Sequence, residues 1–138
     1  MALFEWDDTL LVGVLEIDDQ HRRLVDLINM LHDDIINSDK SGSEKVTQEI
    51  IEELVDYTIA HFSIEQYLMD VHKYPESPAH INEHNKFIDN INRFEKDFKE
   101  KHANIQQDTL DFLKDWLYNH IMKVDKEFGK FLNSKGVL

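Results

Sequence analysis

The sequence contains no cysteine, and only two prolines and four glycines among its 138 residues. Without cysteine there is no disulfide, no zinc finger, no iron–sulfur cluster and no covalently attached c-type haem. So few turn-forming residues argue against a β-sandwich or barrel and favour long helices with few breaks. Positive charge is scarce as well: 15 Lys+Arg stand against 28 Asp+Glu, a formal net charge of −13. Such a chain repels phosphate, which argues against nucleic acid and anionic membranes as partners. Long apolar runs are also missing. The longest stretch, Leu10 to Leu15, falls far short of the roughly 20 residues that span a bilayer. The first residues, MALFEWDD, carry acids where a secretory leader carries positive charge. These absences lead us to expect a soluble, cytoplasmic protein with a single domain over residues 1–138. What the sequence does have is 41% hydrophobic residues, enough for one core, and eight histidines.

Four segments carry helical periodicity. The first runs from about Asp19 to Asn37, with His21, Leu24, Ile28, Leu31 and Ile35 along one stripe. The polar stretch SDKSGS follows, in which Ser41 and Glu44 are spaced as a capping box. The second helix is expected from Glu44 to His72, with Ile51, Leu54, Thr58, His61, Glu65 and Leu68 on its stripe. YPESP then breaks the chain, and Ser77 as N-cap with Pro78 at the first helical position starts a third helix. This one continues to about Lys101 along His80, His84, Phe87, Ile91, Phe94 and Phe98. Asp108 is placed to cap the fourth, whose stripe is Leu110, Leu113, Leu117, His120, Val124 and Phe128. The pattern predicts an all-α, up-down-up-down antiparallel four-helix bundle over residues 19–130. An extended N-terminal arm (1–18) lies against it, and residues 131–138 form a short C-terminal tail.

Polar residues interrupt every one of these apolar stripes. His61 and Glu65 are four apart in HFSIE, His80 and His84 four apart in HINEH, and His21 and His120 lie on the first and last helices. A four-residue step turns only about 40° around a helix, so each such pair points at one place. An imidazole or carboxylate buried without a partner costs several kcal/mol, so polar groups in all four stripes need a shared one. His21 and the His80/His84 pair lie early in their helices, while His61, Glu65 and His120 lie late. In an up-down bundle those positions share one level near one end. With Asp125, which follows His120 in HIMKVD, five imidazoles and two carboxylates converge. Seven ligands exceed what one tetrahedral zinc uses. The carboxylates argue against copper(I) and the imidazoles against calcium or magnesium; iron and manganese both suit the mixture. Two metal ions bridged by Glu65 and Asp125 would use all seven.

One spacing conflicts with simple geometry. His120 and Asp125 are five apart, which is about 140° around an ideal α-helix. Either a π-bulge or a sideways reach by Asp125 is expected there, with Asp125 facing inward. The other histidines read more simply: His102 offsets a helix dipole, and His32 and His72 are surface or outer groups.

The order H…HxxxE…HxxxH…HxxxxD, one element per helix, resembles the hemerythrin family, and in particular its bacterial members. Trp6 and the stretch VGVLEIDDQH resemble that family's N-terminal arm and first helix. The resemblance implies a non-haem di-iron centre that binds dioxygen reversibly. His80, His84 and His120 would then hold one iron and His21 and His61 the other. Glu65 and Asp125 would bridge them together with an oxo or hydroxo group, leaving the open position on the two-histidine iron. Leu24, Phe62, Trp116 and Leu117 correspond to the lining of the dioxygen pocket. The implied role is oxygen storage, delivery or buffering, with no catalytic residue. The alternative within the same resemblance is a sensor of oxygen, nitric oxide or redox state. A di-iron peroxidase or oxidase is disfavoured, because the Glu-x-x-His motif of carboxylate-rich di-iron sites is absent from the sequence.

Overall fold

The computed structural model describes residues 4–36, 43–101 and 107–138, with side chains at 4–34, 48–96 and 111–138. Residues 4–14 form an irregular arm containing one 3₁₀ turn, Asp8–Leu10, capped by the Asp7 carboxylate, which accepts from the Thr9 backbone N–H at 2.8 Å. Gly13, at φ 91°, turns the arm into helix α1, Leu15–Ile36. The helix thus begins ahead of Asp19, where its apolar stripe becomes regular. Its first bond runs from the Asp18 N–H to the Val14 carbonyl at 2.9 Å. Leu15 faces solvent and so falls off the stripe, whereas Ile17 is fully buried. Glu16 and Asp18 in this first turn oppose the positive end of the helix dipole.

Helix α2 spans Ser43–His72. It ends where Lys73 takes φ 55° and the Tyr74 N–H reaches back to the Met69 carbonyl at 2.9 Å, a Schellman closure without the usual glycine. Helix α3 spans Ser77–Lys101. Its first bond, from the His80 N–H to the Glu76 carbonyl, makes Glu76 rather than Ser77 the capping residue. Ser77 and Pro78 become the first two helical residues, where the N–H that proline lacks would be unpaired in any case. The fourth rod has three parts: α4 at Gln107–Asn119, a π-helical segment at His120–Asp125, and α5 at Lys126–Ser134. Backbone angles stay helical at Asn119 and Lys126, so the rod is continuous. The capping box of Ser41 and Glu44, the Asp108 cap, Ile35, Phe98, Leu110 and His102 lie outside the described side chains.

Helix α1 packs against α2 and α4, and α2 against α3, which gives the antiparallel four-helix bundle. Ile17, Leu27, Ile28, Leu31, Ile51, Leu54, Phe62, Met69, Ile91 and Phe128 are the bulky centre of the core. Each such side chain contributes about 1.5–3 kcal/mol by leaving water. The arm belongs to this core: Phe4, Leu10, Val12 and Val14 are buried. It is tied down by polar contacts as well. The Phe4 N–H donates to Asn29 Oδ1 at 2.8 Å, and Asn29 Nδ2 donates back to the Phe4 carbonyl at 2.7 Å. The Val12 N–H donates to Asp18 Oδ1 at 2.7 Å, and Asn133 Nδ2 to the Gly13 carbonyl at 3.0 Å. No helix among the described residues is long and apolar enough to cross a membrane.

Candidate metal centre

Seven side chains from four helical rods meet inside the bundle: His21 on α1, His61 and Glu65 on α2, His80 and His84 on α3, and His120 and Asp125 at the two ends of the π-helical segment. All are at most 3% exposed. The π segment explains how the last two share a face. Its wider turn, seen in the bond from the Lys126 N–H to the Ile121 carbonyl, brings residues five apart into line. The conflict in the sequence spacing is thereby resolved by the backbone, and Asp125 points inward at 1% exposure.

The ligand atoms fall into two groups, each with its atoms within 4.8 Å of one another. Glu65, His80, His84, His120 and Asp125 form the first; His21, His61, Glu65 and Asp125 form the second. The two carboxylates belong to both. Asp125 is split between them: its Oδ2 lies 3.0 Å from His21 Nε2, while its Oδ1 lies 2.9 Å from His80 Nε2 and 3.2 Å from His120 Nε2. Glu65 Oε1 lies 3.3 Å from His61 Nε2 and 3.2 Å from His84 Nε2, again one imidazole from each group.

These groups are close, yet they are not aligned to satisfy one another. Both ring nitrogens of His21, His80, His84 and His120, Nε2 of His61 and all carboxylate oxygens of Glu65 and Asp125 are buried without a hydrogen-bond partner. Orphans at this density are foreign to a folded core and call for a positive centre among them. The acids are also kept ready for one. Burial and the neighbouring Asp125 both push Glu65 upward, but His61 and His84 outweigh them and bring it down to about 2. Asp125 is pushed up by burial and brought well below the ordinary carboxylate range by His120, His21 and His80. Burial holds His84 below its ordinary value. It acts the same way on His120, where Asp125 overcomes it and raises the imidazole. Ionised carboxylates among imidazole nitrogens are a donor set for a borderline divalent or trivalent metal, iron included.

The rings are held by stacking. Phe62 stacks on His84 at 3.7 Å between centroids, and Trp116 on His120 at 4.5 Å. Leu24, Phe62 and Leu117 are each 2% exposed, whereas Trp116 is half-buried and forms part of a surface cleft beside His120. His32 is buried rather than superficial, and neither it nor His72 joins either ligand group.

Two residues that spacing did not single out reach the outer nitrogens of the imidazoles. Gln20 Oε1 lies 2.6 Å from His61 Nδ1. Glu83 Oε2 lies 3.5 Å from His120 Nδ1. Each stands directly before a ligand histidine in the sequence, yet its partner is on another helix. Adjacency to a ligand is the only signal either gives.

The chain matches known proteins over nearly its whole length. The family model for the hemerythrin HHE cation-binding domain covers residues 12–132. A bacteriohemerythrin of Methylococcus capsulatus is 36% identical over 135 residues, covering 97% of this chain and all of the relative. One of Pseudomonas paraeruginosa is 37% identical over 125 residues, covering 91% of this chain and 78% of the relative. A crystal structure of wild-type hemerythrin superposes with a TM-score of 0.86 at 35% identity, covering 95% of this chain and 98% of that one. The fold, the cluster of five histidines and two carboxylates and these matches agree: the chain belongs to the hemerythrin family.

Proposed function

We propose that this protein binds dioxygen reversibly at a non-haem di-iron centre and serves oxygen storage, delivery or buffering. The observation that carries the reading is the sharing of Glu65 and Asp125 between two histidine groups. A single metal ion leaves two imidazoles without use, whereas two ions use all five imidazoles and both carboxylates. His80, His84 and His120 would hold one iron and His21 and His61 the other, with Glu65 and Asp125 available to both. When bound, the metal pair supplies reversible two-electron chemistry toward dioxygen.

The protein's own residues set the conditions for that chemistry. Counting donors, one position has three imidazoles and the other two, with both carboxylates in common. The two-histidine position is therefore the one with room for an outside ligand. Leu24, Phe62 and Leu117, all buried, would supply the apolar lining that excludes water, and Trp116 fixes the His120 ring from the side. Five imidazoles to two carboxylates is a donor set lean in negative charge, and no Glu-x-x-His pair occurs in the sequence. Both features favour a binder over an oxidising catalyst. A cysteine-free chain suits a reducing compartment, and we place the protein in the cytoplasm.

The test is the visible absorption spectrum of the reduced, anaerobic, iron-loaded protein as oxygen is admitted and then removed. A charge-transfer band that appears and then bleaches is the expected result. A permanent change to an oxidised spectrum overturns reversible binding, and an iron content of one per chain overturns the shared-carboxylate arrangement.

A further inference from the structure

Against the outer side of the metal centre, two neighbouring surface clefts run along the seam between α3 and the π-helical segment. One has a volume of about 660 Å³ and includes Tyr74, Glu76, His80, Glu83, Lys123 and Glu127 in its wall. The other, about 250 Å³, is lined by Glu83, Trp116, Asn119, His120, Lys123 and Val124. Glu83 and Lys123 belong to both walls, so Glu83 stands at the ridge between them. Its side chain is 44% exposed, and its Oε2 lies 3.5 Å from His120 Nδ1.

The His120 ring has little freedom. Trp116 stacks on one face at an interplanar angle of 13°, and Nε2 is directed inward at Asp125, 3.2 Å away. Nδ1, on the other side of the ring, must then face the cleft and Glu83. The outer nitrogens of His21, His80, His84 and His120 make no hydrogen bond, and that of His120 has the Glu83 carboxylate at ion-pair distance. The fifth histidine, His61, meets the neutral amide of Gln20 at 2.6 Å. The two metal positions are therefore supported unequally: an anionic partner stands behind a histidine of the three-histidine position, and a neutral one behind a histidine of the two-histidine position.

We propose that Glu83 is a positioning residue that accepts a hydrogen bond from the Nδ1–H of His120 and thereby stabilises the oxidised state of the three-histidine iron. The proposal rests on the di-iron reading above. A carboxylate behind a ligand imidazole fixes its tautomer and raises its basicity, which favours the more highly charged metal. The separation of 3.5 Å is an ion-pair distance that shortens into a charge-assisted hydrogen bond once Nδ1 is obliged to carry the proton, as it must when Nε2 ligates a metal. Because Glu83 is partly exposed, solvent screens its effect below that of a buried outer partner.

The experiment uses the iron-loaded full chain and the variants Glu83→Gln and Glu127→Gln. The second removes the same charge from the same cleft without contact to His120. Potentiometric titration of the centre should show Glu83→Gln shifted toward the ferrous state by about fivefold, or about 40 mV at 59 mV per tenfold for one electron. Glu127→Gln should stay near wild type. A second reading uses the zinc-loaded, diamagnetic protein. There the His120 Nδ1–H proton resonance should lie downfield and exchange slowly in wild type and in Glu127→Gln, and lose both properties in Glu83→Gln. An unchanged potential in Glu83→Gln, equal shifts in both variants, or a His120 resonance indifferent to Glu83 each overturns the proposal. Wild-type protein that fails to take up two irons overturns the di-iron reading instead, so the two failures are distinct.

Discussion

A carboxylate placed between two groups of imidazoles has a different energetic position from one beside a single partner, and Asp125 is the sharpest case. Its two oxygens are divided between His21 on one side and His80 and His120 on the other, all in a core from which water is excluded. Without metal, an ionised Asp125 is a buried charge whose attraction to His120, His21 and His80 outweighs its desolvation. The variant Asp125→Asn removes that charge while keeping shape and volume. The metal-free protein should therefore lose only about 1–2 kcal/mol at neutral pH, read by urea unfolding, while iron content falls to one per chain or less. Loss of stability on the scale of a broken core would show that Asp125 is structural. That Asp125 and its six companions meet at one place was legible from the sequence: helical spacing fixes the faces of the six, and the five-residue step to Asp125 called for a wider turn. Gln20 and Glu83 were not legible in this way. Each acts across the bundle on a histidine of another helix, and spacing along one helix says nothing about a partner on the next.

At the scale of elements, two departures from regular helix carry the architecture. The π-helical segment His120–Asp125 was anticipated as a conflict, since five residues overshoot one α-turn, and the backbone absorbs it with a wider turn. The second departure is a close approach that no local pattern announces. Gly129 lies inside α5, where glycine costs about 0.5–1 kcal/mol against alanine. The reason is tertiary: a Cβ at Gly129 would lie 2.1 Å from the Val12 carbonyl oxygen, because the arm crosses the helix at that point. The obstacle is backbone on both sides, so no side-chain rotation relieves it. Gly129→Ala should destabilise the fold by about 2 kcal/mol, measured by chemical denaturation, with hydrogen exchange of the Val12 amide accelerated ahead of the core. A neutral or stabilising effect would mean that the arm does not sit against α5. The arm's course over α5, and with it the demand for glycine, is set by packing between distant segments. For the same reason the start of α1 at Leu15 escaped a reading based on its apolar stripe.

For the whole molecule, metal loading and folding should respond to acid at different points. The fold's own dependence comes from the depressed acids. Glu65 is held at about 2 against an ordinary 4.5, so the stability it contributes is complete above 4.5 and is lost as pH falls toward 2. Asp125, well below its ordinary 3.8, acts in the same direction and over the same acidic range. Metal retention depends instead on the imidazoles, which ligate only when neutral, so protons compete with iron over a higher range. His120, raised by Asp125 above its ordinary 6.5, offers protons the earliest foothold once the metal loosens; His84, lowered by burial, resists longer. Acid titration of the iron-loaded protein should therefore proceed in two separate steps. Visible absorption and bound iron should go first, with several protons taken up per chain, while far-ultraviolet circular dichroism still reports the bundle. The helical signal should fall only as Glu65 and Asp125 become protonated. Simultaneous loss of both signals would mean that the metal, not the core of Ile17, Leu31, Ile51 and Phe128, holds the four helices together.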